Sequence, residues 1–119
     1  MKWQKPSEEL NLFLRKQLEN VDCQARMMFG CPSYFINNNM FIGAFREDIF
    51  VRLAPADIEE TLKKSPNTKR FEPRPGRVMK EYASLPESIY KKKDVFKKLL
   101  KKSIRYTRSL PPKKKRSKR

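Results

Sequence analysis

Lys97, Lys98, Lys101, Lys102, Arg105 and Arg108 recur at three- and four-residue spacing, and Lys113, Lys114, Lys115, Arg116, Lys118 and Arg119 follow closely. Clustered side chains of this type neutralise phosphates and release the counterions condensed on a nucleic acid. The charge is also unevenly placed. Residues 1–87 hold 14 Lys and Arg against 12 Asp and Glu, a net of +2, whereas residues 88–119 hold 15 against the single Asp94, a net of +14. A nearly neutral body with a strongly cationic end suits contact with a polyanion through one surface. Lys97/Lys101, Lys98/Lys102 and Lys101/Arg105 are like-charge pairs four residues apart, each destabilising an isolated helix by about 0.2–0.5 kcal/mol. An external polyanion would relieve that repulsion. A solvated helix face and a merely solubilising tail are the alternatives.

Other residues offer less. Arg74 and Arg77, in the Pro/Gly-rich stretch 71–77, suit a phosphate or a partner carboxylate, unless they pair with Glu72 or Glu81. Arg26 reads as a sheet-edge residue or as half of an interface. Met27, Met28, Phe29, Met40 and Phe41 read as core, with an adaptable binding groove as the alternative. The chain has no histidine, which removes the usual general base and the commonest zinc ligand. Cys23 and Cys31 read as two reduced thiols, with a bridge between them as the alternative. Cys31 is the one candidate nucleophile, and nothing adjacent activates it. The carboxylate pairs Glu8-Glu9, Glu47-Asp48 and Glu59-Glu60 are sequence neighbours, which point in different directions. Three glycines make no phosphate-binding loop. The expectation is a protein that is not an enzyme and needs no metal or cofactor.

No run of about 18 apolar residues is present, and the N-terminal stretch lacks the apolar segment of a secretory signal. A cytoplasmic location without membrane contact is expected, on the nucleoid in a bacterium. In a eukaryote the string 111–119 would read as a nuclear import signal. Helix-turn-helix patterning, zinc-finger spacing and aromatics interleaved with the basic face are all missing, Tyr106 being the nearest candidate. Nucleic-acid binding is therefore expected to be phosphate-directed, weakly sequence-selective and salt-dependent. An acidic protein partner is the alternative, and a homodimer through a strand edge stays open.

The elements that must position these residues follow from periodicity. Ser7 caps a first helix in which Leu10, Phe13, Leu14 and Leu18 share a face, ending at Asn20 or Asp22. Strands are predicted over 24–29, 33–36, 40–45 and 49–53, forming an antiparallel meander whose middle hairpin turns on Asn37-Asn38-Asn39. Glu47-Asp48 makes the next turn. A short helix begins with Pro55 at its first position and ends near Lys64. Residues 71–77 are predicted as a stiff loop and 78–83 as a last strand. One long amphipathic helix is predicted over 88–109, with Ile89, Val95, Phe96, Leu99, Leu100, Ile104 and Tyr106 on the buried side. Lys92 and Lys93 fall on that side too, near the helix start, where they would snorkel. The fold class is α+β, a mainly antiparallel sheet with flanking helices in the order helix–strands–helix–strands–helix. One domain spans 1–110, and 111–119 is read as a disordered basic tail.

Four segments in order, Arg26-Met-Met-Phe-Gly30, Met40-Phe-Ile-Gly43, 71–77 leading into Met79-Lys-Glu-Tyr82, and Arg105-Tyr-Thr-Arg-Ser-Leu-Pro-Pro112, resemble the TfoX/Sxy N-terminal domain over roughly residues 7–112. The resemblance implies a compact α+β domain similar to secretion-chaperone-like folds. The family takes its name from regulators of natural competence, whose longer members carry a second domain where this chain has its basic tail. The chaperone-like likeness also implies a reading in which the sheet binds protein.

Overall fold

The structure, a computed structural model, describes residues 8–28, 31–65 and 67–111, with the backbone alone for Met28 and Cys31. Helix α1 (Glu8–Gln17) carries Glu8 and Glu9 in its first turn and Arg15 and Lys16 in its last, so both ends suit the helix dipole. It stops earlier than expected. Leu18, Glu19 and Val21 bond to carbonyls three residues back, tightening the chain so that Leu18 joins Leu10 and Leu14 in the core. The Ser7 cap lies outside the described residues.

Strands β1 (Gln24–Met28), β2 (Cys31–Ile36), β3 (Asn39–Phe45) and β4 (Asp48–Arg52) form the expected meander. Asn37 (φ 52°) and Asn38 (φ 66°) are both left-handed, as a two-residue hairpin requires. The following turn is centred on Arg46 and Glu47 instead of Glu47 and Asp48, because Asp48 pairs with Phe45 in the ladder. Gln24 faces Phe35 and Met28 faces Cys31 across β1 and β2. Cys23 and Cys31 therefore sit at opposite ends of the pair, more than about 13 Å of strand apart. A disulfide tolerates about 7 Å between Cα atoms, so the bridge is excluded and Cys23 is a free thiol.

Helix α2 (Pro55–Lys64) begins at Pro55 as expected. The stretch read as a stiff loop is instead strand β5 (Lys69–Arg74), hairpinned onto β6 (Arg77–Leu85) through Pro75 and Gly76. Proline at the first turn position and glycine at φ 84° in the second meet the needs of a type II turn. Pro73 is tolerated because β5 is an edge strand, where a missing N–H breaks no ladder on its outer side. The predicted single helix over 88–109 is two: α3 (Glu87–Tyr90) and α4 (Lys93–Ser109), with Lys92 extended between them. The break removes Lys92 and Lys93 from the apolar side, and both are exposed. It also lets Tyr90 pack inward, its hydroxyl donating to the Glu47 carbonyl at 3.3 Å.

The six strands form one antiparallel sheet in the order β1-β2-β3-β4-β6-β5. One face, carrying Ile42, Ala44, Ile49, Val51, Ala83 and Leu85, packs against Leu14, Ile58, Ile89, Phe96, Leu99 and Leu100 of the helices. The other face builds a second core from strand residues: Phe35, Met40, Phe45, Phe50, Phe71 and Tyr82. Phe71 of β5 lies 5.3 Å from Phe45 of β3 and stacks on Phe50 at 4.3 Å. Three strand spacings separate β5 from β3, about 14 Å in a flat sheet, so the sheet curls until the β5–β6 hairpin covers its own concave face. Register shifts in the β5–β6 pair supply the bend. A further bulge in β3, where Tyr34 pairs with Ile42 but Phe35 with Met40, turns Phe41 and Ile42 both toward the helices. There Tyr82 Oη donates to the Met40 carbonyl at 2.8 Å from one face, and Ser103 Oγ to the Phe41 carbonyl at 3.3 Å from the other.

Gly43 lies under the Phe50 ring, its cross-strand partner. A Cβ there would stand 2.5 Å from Phe50 Cζ and 2.7 Å from Ser33 Oγ. Gly43→Ala is expected to destabilise the fold by about 1–3 kcal/mol through overpacking, read as a lower urea midpoint. Burial pushes the Tyr82 phenol up from 10.0 to about 12, against the opposing pull of Arg52. The unfolded chain releases this proton near pH 10 and the folded chain near 12, so this contribution is intact below about pH 10 and is lost as the pH rises through that window. Tyr82→Phe is expected to cost about 1 kcal/mol at neutral pH and to flatten the alkaline fall. Denaturation midpoints at about pH 8 and about pH 11 check both effects.

Candidate nucleic-acid interface

Helix α4 crosses the sheet because Phe96, Leu99, Leu100, Ser103 and Thr107 form its buried stripe. The two small polar residues take the places expected for Ile104 and Tyr106, which are only half-buried. Small side chains let the helix axis approach the β3 bulge, where Ser103 bonds. Tyr106 stays at the flank beside Arg52, whose guanidinium lies 5.5 Å from the Tyr82 ring centre and 6.0 Å from that of Tyr106. Arg52 Nε and Nη2 both donate to Glu81 Oε1, at 2.9 and 2.7 Å. At its C-terminal end the helix is tied to the β2–β3 turn, Asn39 Nδ2 donating to the Pro111 carbonyl at 3.1 Å.

Lys97, Lys98, Lys101, Lys102, Arg105 and Arg108 are all exposed. At about 100° per residue they fan over roughly 140° of the helix surface, opposite the buried stripe. They are not equivalent. Lys102, at the edge facing α2, reaches Asp57 Oδ1 and Glu60 Oε1, each at 3.5 Å. Glu60 is held below the usual carboxylate range, first by Lys64 at 2.9 Å and then by Lys102. Lys97, Lys98, Lys101, Arg105 and Arg108 form no ion pair with any described residue. Lys113, Lys114, Lys115, Arg116, Lys118 and Arg119, and with them the disordered-tail reading, lie outside the described residues.

Arg74 and Arg77 face each other at the tip of the β5–β6 hairpin, whereas α4 packs chiefly on β3 and β4, so the fold does not join them to the helix face. Neither pairs with the carboxylates expected for them: Glu72 accepts from the Gly76 N–H at 2.7 Å and Glu81 holds Arg52. Met40 and Phe41 are core, but Met27 is 66% exposed, against the expectation of burial. It lies on an edge strand, beyond which no strand is present among the described residues. The Cys23 thiol is pushed up, by burial and then by Asp22, away from the thiolate that a nucleophile needs.

Sequence reasoning missed the surroundings of Arg108. A cleft of about 560 Å³ opens between the end of α4, the residues leading into β1 and the β2–β3 turn, lined by Asp22, Gln24, Asn37, Asn38 and Arg108 among others. Arg26, itself outside that lining, is bound to residues within it, donating to Asn38 Oδ1 at 2.7 Å and Gln24 Oε1 at 3.3 Å and lying 4.7 Å over the Phe35 ring. Three consecutive asparagines signal a turn, and nothing in their spacing announces a cleft.

The family model described as TfoX N-terminal domain matches residues 16–106, which is more than half of the chain and runs from within α1 to within α4. No curated protein matches the sequence. No helix among the described residues is long and apolar enough to cross a membrane.

Proposed function

The chain belongs to the TfoX N-terminal domain family, and we propose that this member is a non-enzymatic regulatory protein that associates with nucleic acid through phosphates laid along α4. The observation that carries this reading is the outer face of the helix: Lys97, Lys98, Lys101, Arg105 and Arg108 are exposed and without carboxylate partners among the described residues. Repulsion along such a face is relieved by an external polyanion. In sequence the cationic stretch 113–119 follows closely on Pro111, whose carbonyl is held by Asn39. Lys102, already neutralised by α2, contributes less. Phosphate contacts of this kind position a nucleic acid without reading its sequence.

Salt titration of duplex DNA binding tests this. Log affinity should fall linearly with log salt, and Lys101→Gln with Arg105→Gln should reduce the slope by about 1.8, or about 0.9 per lost contact. Lys102→Gln alone should change it much less, and truncation after Leu110 should reduce it further. Absence of binding at about 50 mM salt, where phosphate contacts are strong, would sink the reading.

A second reading, protein association, is favoured by β1. Edge strand β5 is blunted by Pro73 and by register shifts, whereas β1 runs in unbroken register over its five residues and no strand among the described residues pairs with its outer edge. Leu12, 59% exposed, lines a groove of about 630 Å³ together with Ala25, Pro32 and Tyr34 and the polar Glu8, Asn11 and Arg15, and Met27, 66% exposed, lies on the same edge strand as Ala25. A second copy of this chain pairing along β1 would cover both. On this reading the protein sediments as a dimer at high concentration and Met27→Lys renders it monomeric. A wild-type protein that stays monomeric rules the dimer out.

A further inference from the structure

The cleft beside Arg108 differs from the helix face in chemistry. The face is cationic and convex, which suits phosphates. The cleft is concave, and its polar lining is amide-rich: Gln24, Asn37 and Asn38 carry groups that donate and accept, and Gln24 Oε1 and Asn38 Oδ1 accept from Arg26 at 3.3 and 2.7 Å. Asp22 is the one carboxylate among its lining residues; it accepts hydrogen bonds and repels phosphate. That combination favours a neutral, hydrogen-bonding planar group inside the cleft, with the phosphate outside on Arg108. The volume, about 560 Å³, is within the usual range for small-molecule sites.

Arg26 supplies the plane. Its guanidinium is fixed by the Asn38 oxygen and the Phe35 ring, and the residue is exposed, so one side of a flat cation is offered to solvent. Bases stack on arginine planes as they do on aromatic rings. The turn that carries the amides is held rigidly: two residues in the left-handed region, ladder pairs on either side, and the bond from Asn39 to Pro111.

We propose that this cleft is a nucleotide subsite taking one unpaired base of a single-stranded nucleic acid, stacked on Arg26 and hydrogen-bonded by Gln24, Asn37 and Asn38, while its neighbouring phosphates run onto Arg108 and α4. The inference rests on the nucleic-acid reading above and adds to it a preference for unpaired strands. Electrostatics alone predicts the reverse order, because a duplex carries the denser charge.

The test compares the full-length protein with a labelled single-stranded DNA of about 12 nucleotides, and with the same strand annealed to its complement, by fluorescence anisotropy at about 50 mM salt. Single-stranded DNA should bind several-fold more tightly than the duplex. Arg26→Lys keeps the charge but loses the plane. Asn38→Gly keeps the left-handed turn but loses the amide. Each should weaken single-strand binding by about tenfold, the scale of one base stack, while duplex binding is unchanged and thermal melting confirms folding. Equal binding to both DNAs, duplex preference, or variants that weaken both forms equally overturn the subsite and leave the phosphate track standing. Binding to neither DNA overturns both.

Discussion

The stack of Phe71 on Phe50, continued to Phe45, is the contact on which the rest of this architecture depends. A six-stranded sheet has two faces to keep from water, and the helices here cover one. By curling until β5 lies over β3 and β4, the sheet covers its other face with its own aromatic residues. Gly43 makes room for the Phe50 ring, and the Tyr82 hydroxyl fastens the curl to the β3 bulge. Because the second face needs no helix, all of the helical surface lies on one side, and the longest helix turns half its circumference outward.

That outward half carries charge with a pattern of its own. The acidic residues of α2 do not disperse the positive charge of α4; they neutralise one edge of it, at Lys102. The cations without an ion pair among the described residues run from Lys97 to Arg108 and end near the β2–β3 turn, where Arg26 arrives from β1, twelve residues before Asn38 in sequence and 2.7 Å from it in space. A convex cationic strip leading into a concave amide cleft divides the work between two kinds of contact. In the proposed mode of binding, the strip holds a nucleic-acid backbone by charge and the cleft takes an unpaired base.

Much of this was legible from residue order. The meander, the asparagine turn, the start of α2 and the cationic face of α4 all follow from local rules: periodicity, left-handed tolerance and the missing N–H of proline. The errors share a cause. Residues 71–77 read as a loop because two prolines and a glycine usually punctuate, yet an edge strand with a two-residue turn accommodates all three. The single helix over 88–109 read as continuous because helix-forming lysines span Lys91 to Lys93. The break there lets Tyr90 reach Glu47, a contact 43 residues away in sequence. Met27 read as core because its type is apolar, and its exposure follows from β1 being last in the strand order.

By itself the sequence determined the class of elements, the segregation of charge into the C-terminal quarter and the lack of histidine chemistry, since each depends only on side-chain identity and short-range spacing. The tertiary structure alone decided which lysine is spent on α2 and which form no ion pair with a described residue, that Cys23 and Cys31 lie too far apart to join, and that Asn38 and Arg108 line one cleft with Arg26 bonded to its wall. Those outcomes are distances between residues far apart in the chain. They are fixed by sheet register and by the crossing of α4 over the β3 bulge, which no local rule encodes.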